Sequence, residues 1–284
     1  MLYNKLTTKA IIPKFINQNI LKEDIVNLLK VCYANIAFST FPYLVYNSSG
    51  ESIKYMNSGN CIALCMYLQK ILKENMNIIS FLIPVTVPKM YQAEGMLEIS
   101  HVALAIPTSE THVFIADIAF YFLEPISMNL NNIRNTNISS INIHDSVILI
   151  VESVNKKTSQ KTNFNEFQSI PKNTYYCECN YTIDPNDKWC YFLRQIVNPD
   201  NTIGKFFLNV KNLPWITTTE LGENGVCRRH INMKVKPGGN IEIKQYDNII
   251  HDGPISTLTN STIELLNTIL WPYFGRDIRY FLNP

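Results

Sequence analysis

The sequence lacks charge blocks, long apolar runs and internal repeats. Charged residues make up only 17% of the 284 residues, and the 25 basic and 23 acidic side chains are interspersed, which leaves a formal net charge of +2. This balance excludes the clustered basic surface of a nucleic-acid groove. Hydrophobic residues nevertheless reach 46%, so we expect the chain to bury a sizeable core in one large domain or about two smaller ones.

Membrane and secretory signals are also missing. The longest apolar stretches, such as Asn77 to Val87 and Ser146 to Val151, are shorter than the roughly 20 residues that span a bilayer. The N-terminal residues show no basic segment followed by an apolar core, and the seven cysteines are odd in number and lack the spacing of a small disulfide scaffold. We therefore expect a cytoplasmic protein with reduced thiols and no membrane partner.

Two segments near the N-terminus have helical periodicity. Lys22 to Ile36 carries apolar residues at helical spacing, with Glu23 and Asp24 in the first turn, where the helix dipole favours acidic side chains. After the turn Ser58-Gly59-Asn60, apolar residues recur every three or four positions from Cys61 to Leu72. The pattern predicts that Cys61 lies in the first turn of a buried helix.

Strand-like patterns dominate the middle of the chain. Leu97 to Ile106 and His112 to Ile118 flank the polar connection Pro107 to Thr111, which predicts a β-hairpin. A polar, Asn-rich loop is predicted over Asn129 to Asn142, and a third strand over Asp145 to Ser153.

A mixed pattern follows the polar segment Lys156 to Asn163, which is the predicted linker. The elements predicted beyond it are strands at Thr174 to Thr182, Lys205 to Val210, His230 to Val235 and Ile241 to Tyr246, and a helix from Ser261 to Leu270. The predicted parts are therefore a helical part at residues 1–75, a β-barrel or antiparallel sheet at residues 76–155, and a mixed α/β part at residues 164–284 that covers the cleft. Together they predict the α+β fold class.

Cys61 is the first candidate for chemistry. The unpaired N–H groups and partial positive charge of a helix N-terminus favour a thiolate, which is the nucleophilic form of cysteine. Many buried cysteines begin helices without a chemical role, so the position alone leaves a structural reading open. Cys65 lies one turn later on the same face, where we expect core packing.

The predicted hairpin supplies two partners for this thiol. Pairing Ile106 with His112 places His101 opposite Asp117, and directly opposed residues have Cβ atoms about 4.5 to 5.5 Å apart. The carboxylate is then expected to accept the imidazole Nδ1–H and to aim Nε2 elsewhere. The neighbours on this strand face are small or apolar: Ala103, Ala105, Val113 and Ile115. They argue against a solvated surface pair, so we predict a cysteine, histidine and aspartate catalytic triad.

The spacing of these three residues resembles that of a known family. His101 follows Cys61 by 40 residues and Asp117 follows after 16 more, as in arylamine N-acetyltransferases. The segment Leu29 to Tyr43 resembles the helix and the Pro-Phe-Glu-Asn-like turn that precede the nucleophile in that family. The likeness covers about residues 20 to 125. It implies a papain-like cysteine-enzyme architecture, a thioester on Cys61, acetyl-CoA or another acyl-CoA as co-substrate, a small-molecule amine as acceptor and no permanently bound cofactor.

The sequence also departs from that family around the nucleophile. The family usually has Arg-Gly-Gly before the cysteine and Glu two residues after it, whereas this chain has Ser58-Gly59-Asn60 and Ala63. Transglutaminase-like proteins share the Cys, His, Asp order and tolerate a Gly-x-Cys start. Two alternatives therefore stay open: a transglutaminase-like or papain-like amidase acting on peptide amides, and a catalytically silent binding protein.

A second group of residues contains possible metal ligands. The set is Cys177, Cys179, Cys190, Cys227 and His230. Its Cys-x-Cys and Cys-x-x-His spacings do not match a common zinc site, so we predict isolated thiols in strands and no metal.

Overall fold

The computed structural model describes residues 8–11, 17–89, 99–129, 136–144, 147–158, 175–181, 186–193, 195–197, 199, 213–222 and 227–282. The α-helices of these ranges are α1 (Lys22–Asn35), α2 (Ser49–Tyr55), α3 (Cys61–Met76), α4 (Asn260–Phe274) and α5 (Arg279–Leu282). No helix in these ranges has the length and apolarity that crossing a membrane requires.

The first eight strands are β1 (Thr8–Ile11), β2 (Ala37–Ser39), β3 (Ser58–Gly59), β4 (Phe81–Thr86), β5 (Ile99–Pro107), β6 (His112–Ala116), β7 (Ile126–Asn129) and β8 (Thr136–His144). The remaining strands are β9 (Val147–Thr158), β10 (Tyr175–Tyr181), β11 (Lys188–Phe192), β12 (Gln195–Val197), β13 (Trp215–Leu221), β14 (Cys227–Lys236), β15 (Asn240–Gln245) and β16 (Asn248–Pro254).

Fourteen of these strands lie in two large sheets, and β1 and β12 form a separate antiparallel pair. The first has eight antiparallel strands in the order β7-β6-β5-β4-β11-β10-β9-β8, and its edge strands β7 and β8 lie close enough together to make a nearly closed barrel. The second has six strands in the order β16-β15-β14-β13-β2-β3, in which only the β2–β3 pair is parallel. The combination of α-helices with largely antiparallel sheets confirms the predicted α+β class.

Strand β5 is buried on both faces, and this positions the candidate site. Val102, Leu104 and Ile106 pack in one apolar cluster with the buried residues of α1 and α3. The alternate residues Ala103 and Ala105 pack in a second cluster with the other strands of the barrel. Because side chains alternate along a strand, His101 belongs with the second set.

Most local predictions agree with these elements. The predicted helix at Lys22 to Ile36 is confirmed as α1, Cys61 is the first residue of α3, and the predicted hairpin is formed by β5 and β6. The C-terminal helix is longer than predicted, because it continues through Pro272 to Phe274.

Two boundary predictions are wrong. The predicted loop Asn129 to Asn142 contains the first residues of β8, which is an edge strand of its sheet. The predicted linker begins inside β9, which runs to Thr158 and pairs there with Tyr175. The rest of the linker and the predicted strand Lys205 to Val210 lie outside the described residues.

The division of the chain into parts at residues 1–75, 76–155 and 164–284 stays a prediction. Strands β10 and β11, which follow the linker, lie in the eight-stranded sheet, whereas β2 and β3 come from the first 75 residues and lie in the six-stranded sheet. Both sheets therefore combine strands from different predicted parts.

Candidate active site

The N-terminus of α3 carries Cys61 at a tightly specified position. Asn60 is the N-cap, and its side-chain oxygen accepts a hydrogen bond from the Ala63 backbone N–H at 3.1 Å. Ser49 in α2 donates a second hydrogen bond to the same oxygen at 2.8 Å. Cys61 is 6% exposed and packs with the buried residues of the first apolar cluster.

His101 and Asp117 form a buried ion pair next to this thiol. The imidazole Nε2 lies 2.9 Å from both carboxylate oxygens of Asp117. The two residues are 4% and 0% exposed. The Cys61 side chain lies close enough to His101 to contribute to raising the pKa of the imidazole. The structure therefore brings together the three residues that the sequence singled out.

The pairing of His101 with Asp117 differs from the prediction in register. Leu104 pairs with Ala116 and Ile106 with Phe114, so the hairpin is shifted by two residues from the predicted alignment. A shift of two keeps both side chains on the same face of the sheet, and the imidazole and carboxylate meet diagonally.

The ring nitrogen was also predicted wrongly. Nε2, rather than Nδ1, faces the Asp117 carboxylate. Nδ1 is therefore the ring nitrogen that does not face the carboxylate.

Two further residues, which the sequence reasoning missed, hold the Asp117 carboxylate. The Tyr191 hydroxyl in β11 donates to Oδ2 at 2.8 Å, and the backbone N–H of Phe120 donates to Oδ1 at 3.2 Å. The Phe120 ring also stacks on the His101 imidazole, with centroids 4.2 Å apart. Tyr191 lies 74 residues after Asp117, and no local pattern marks it as a partner. The Phe120 contact follows only from the fold of the turn after β6.

The charge of His101 follows from these contacts. Burial lowers the pKa of His101, but the Asp117 carboxylate and the hydrogen bonds to Asp117 and Cys61 outweigh burial and raise it to about 10. The imidazole is therefore cationic at neutral pH. An imidazolium held between a carboxylate and a thiol can stabilise a thiolate and can later donate a proton.

The other cysteines have different surroundings. Burial raises the pKa of Cys65, whose thiol donates to the Val102 carbonyl at 3.5 Å, as expected of a core residue. The Cys177 and Cys179 sulfurs lie 3.7 Å apart in the second cluster. Among the residues that the structure describes, no group of three His, Cys, Asp or Glu side chains could hold a metal ion. The absence of a metal requirement stays a prediction.

Comparison with solved structures found arylamine N-acetyltransferases. One from Bacillus cereus, whose structure reveals a unique Cys-His-Glu catalytic triad, is 15% identical with a TM-score of 0.56, over 89% of this chain and 92% of that chain. One from Salmonella typhimurium is 12% identical with a TM-score of 0.53, over 93% of this chain and 89% of that chain. One from Mycobacterium marinum, in complex with CoA, is 11% identical with a TM-score of 0.50, over 92% and 89%. No protein-family model matches the sequence, and the search of curated proteins found no match.

Proposed function

We propose that this chain transfers an acyl group from acyl-CoA to an amine through a thioester on Cys61. The proposal is based on the arylamine N-acetyltransferase fold and on the grouping of Cys61, His101 and Asp117. The observation that carries this proposal is the contact of one imidazole with both the carboxylate and the thiol. A surface or purely structural histidine has no need of a cysteine on one side and a buried carboxylate on the other.

The first half of the reaction forms the thioester. The Cys61 thiolate attacks the acyl carbonyl carbon, a carbon–sulfur bond forms, and the π electron pair moves onto the carbonyl oxygen. When this intermediate collapses, the bond to the CoA sulfur breaks and the His101 imidazolium gives its proton to the departing thiolate. Asp117 holds the imidazole through Nε2, which leaves Nδ1 for the proton exchange with the sulfur.

The second half transfers the acyl group to the amine. The amine nitrogen attacks the thioester carbon while the neutral His101 imidazole takes the proton from that nitrogen. Collapse breaks the bond to the Cys61 sulfur, which leaves as a thiolate beside the regenerated imidazolium. His101, Cys61 and the two substrates supply every proton and bond in these steps, so the proposed reaction uses no bound cofactor.

The choice of acyl-CoA as donor has separate support. The Mycobacterium marinum neighbour was solved in complex with CoA. Acetyl-CoA is the first donor to test, with a small aromatic amine as acceptor. A cytoplasmic, reducing setting suits a mechanism that needs a free thiol, and the six cysteines whose surroundings are described are unbridged: Cys32, Cys61, Cys65, Cys177, Cys179 and Cys190.

The test is the mass of the protein after incubation with acetyl-CoA. We expect one acetyl group, mapped to the peptide that contains Cys61 and removed when an arylamine is added. Cys61→Ala should acquire none, whereas the matched control Cys65→Ala should still be acetylated. Hydrolysis of peptide amides without acetylation would favour the amidase alternative, and a chain with neither activity would favour a binding protein.

A further inference from the structure

Within the described residues, the side-chain amide of Asn60 is hydrogen-bonded through its oxygen but not through its nitrogen. Asn60 is 0% exposed, and its Oδ1 accepts hydrogen bonds from the Ala63 backbone N–H and from Ser49 Oγ. Its Nδ2 is buried and has no hydrogen-bond partner within the described residues. A buried amide with two unused protons is costly to keep, and such groups call for a physical reason.

The orientation of this amide follows from its partners. A backbone N–H can only donate, so the atom that faces the Ala63 N–H must be the oxygen. Exchange of the two amide atoms would place an N–H group against the Ala63 N–H, and neither of these groups can accept a hydrogen bond. Nδ2 therefore lies on the side of the amide that faces away from Ala63.

A ring of hydrogen bonds keeps Asn60 in this position. The Asn60 backbone N–H donates to the Tyr43 hydroxyl at 3.2 Å, and this hydroxyl lies 2.8 Å from Ser49 Oγ. Ser49 gives its one proton to Asn60 Oδ1, so Tyr43 must donate to Ser49. Burial raises the pKa of Tyr43, which keeps that proton in place. Each group in this ring therefore donates to the next one, and the ring fixes both the backbone and the side chain of Asn60.

We propose that Asn60 Nδ2 is the second donor of an oxyanion hole, beside the backbone N–H of Cys61. This inference rests on the proposed acyl transfer through Cys61. The first N–H groups of a helix have no partner within the helix, so the Cys61 N–H at the start of α3 is one suitable donor. The residue directly before it supplies a buried amide that is already held in place. A fixed donor that is shielded from water stabilises developing negative charge without reorganising.

The step that this donor serves is the attack on the acyl carbon. As the Cys61 sulfur bonds to that carbon, the carbonyl oxygen gains the π electron pair and becomes an oxyanion. The Cys61 N–H and the Asn60 amide then each donate one hydrogen bond to it. When the leaving thiolate departs, the pair returns to the carbonyl and both hydrogen bonds weaken.

The test compares two reactions of Cys61 that differ only in the need for an oxyanion hole. Acylation by p-nitrophenyl acetate or acetyl-CoA passes through an oxyanion, whereas alkylation by iodoacetamide displaces iodide at a saturated carbon and forms none. Asn60→Ser is the main variant, because serine is an equally good N-cap and lacks the amide N–H2. Asn60→Asp is the second variant, and it keeps the acceptor oxygen. The matched control is Asn232→Ser, which changes another buried asparagine, in β14.

We expect both Asn60 variants to acylate about 10²- to 10³-fold more slowly than the wild type. The alkylation rate, measured at one fixed alkaline pH, should stay nearly unchanged, and Asn232→Ser should match the wild type in both reactions. If acylation and alkylation slow together, Asn60 only positions the helix and the proposal fails; it fails equally if neither reaction slows. Acylation of the wild type by p-nitrophenyl acetate but not by acetyl-CoA would overturn the acyl-CoA function alone. A wild-type Cys61 that neither reagent acylates would overturn both.

Discussion

At the residue scale, the site depends on how the Asp117 carboxylate divides its hydrogen bonds. Its two oxygens accept from His101, Tyr191 and the Phe120 backbone. An amide in the same place would keep the volume but would turn an N–H2 group towards one of these donors. If that group faces His101, the neutral imidazole must accept at Nε2 and carry its proton on Nδ1, where it cannot take a proton from Cys61.

Replacing Asp117 by Asn should therefore lower turnover by roughly 10²- to 10⁴-fold while the protein stays folded. Steady-state kinetics measures the rate and circular dichroism the fold. The matched control is Asp187→Asn, because Asp187 is also buried but accepts a hydrogen bond from the Lys89 backbone N–H. An Asp117→Asn variant that folds and keeps full activity would show that the carboxylate has no role in catalysis.

At the scale of secondary-structure elements, the close contact between β3 and α3 holds Cys61 in place. A side chain at Gly59 would overlap the Ala63 Cβ and lie 2.7 Å from Ser52 Oγ. Both neighbours are buried, and Ala63 is part of the first turn of α3. Only glycine leaves room for this approach, so the residue before the N-cap determines where the helix begins.

Replacing Gly59 by Ala should lower the free energy of unfolding by about 1 to 3 kcal/mol, as overpacking does, and should reduce acylation of Cys61. Urea denaturation measures the first effect. Gly50→Ala is the matched control, because a Cβ there would meet Met66 Cε at an ordinary 3.8 Å and Gly50 lies in α2. Ala63→Gly added to Gly59→Ala should restore part of the stability. If Gly59→Ala is as stable as Gly50→Ala, the contact is looser than the structure indicates.

At the scale of the whole molecule, folding brings distant segments together and thereby raises the pKa of His101. Cys61 lies in α3, His101 in β5 and Asp117 after β6. In the unfolded chain the imidazole loses these partners and returns to its ordinary pKa of 6.5, whereas in the folded protein the pKa is about 10. The folded state therefore binds the proton more tightly than the unfolded state does.

This difference predicts how stability changes with pH. The stabilisation by the His101 proton is complete below pH 6.5 and is lost as the pH rises towards about 10. The free energy of unfolding of the wild type should fall more steeply over this window than that of His101→Gln. Urea denaturation at several pH values measures both slopes, and the other titrating groups are the same in the two proteins. Equal slopes would mean that His101 is not held as an imidazolium in the folded state.

Short-range patterns were enough to predict the local structure around the three residues of the candidate site. Apolar spacing and a capping turn predicted that Cys61 begins a helix, and strand alternation placed His101 and Asp117 on one face of a hairpin. These signals are local, because a helix start or a strand face depends on residues a few positions apart. The resemblance of the three-residue spacing to arylamine N-acetyltransferases then pointed to the fold that the structural comparison bears out.

Long-range packing set the details that the sequence pattern could not supply. A two-residue change of hairpin register preserves the face pattern, so alternation cannot distinguish the two alignments or tell which imidazole nitrogen meets Asp117. Tyr191 and the ring of Tyr43, Ser49 and Asn60 are brought to the site by elements far apart in the chain or by turns without a repeating pattern. Their contacts exist only once the sheet closes and the helices pack, because hydrogen-bond partners in a core are chosen by three-dimensional proximity rather than by sequence distance.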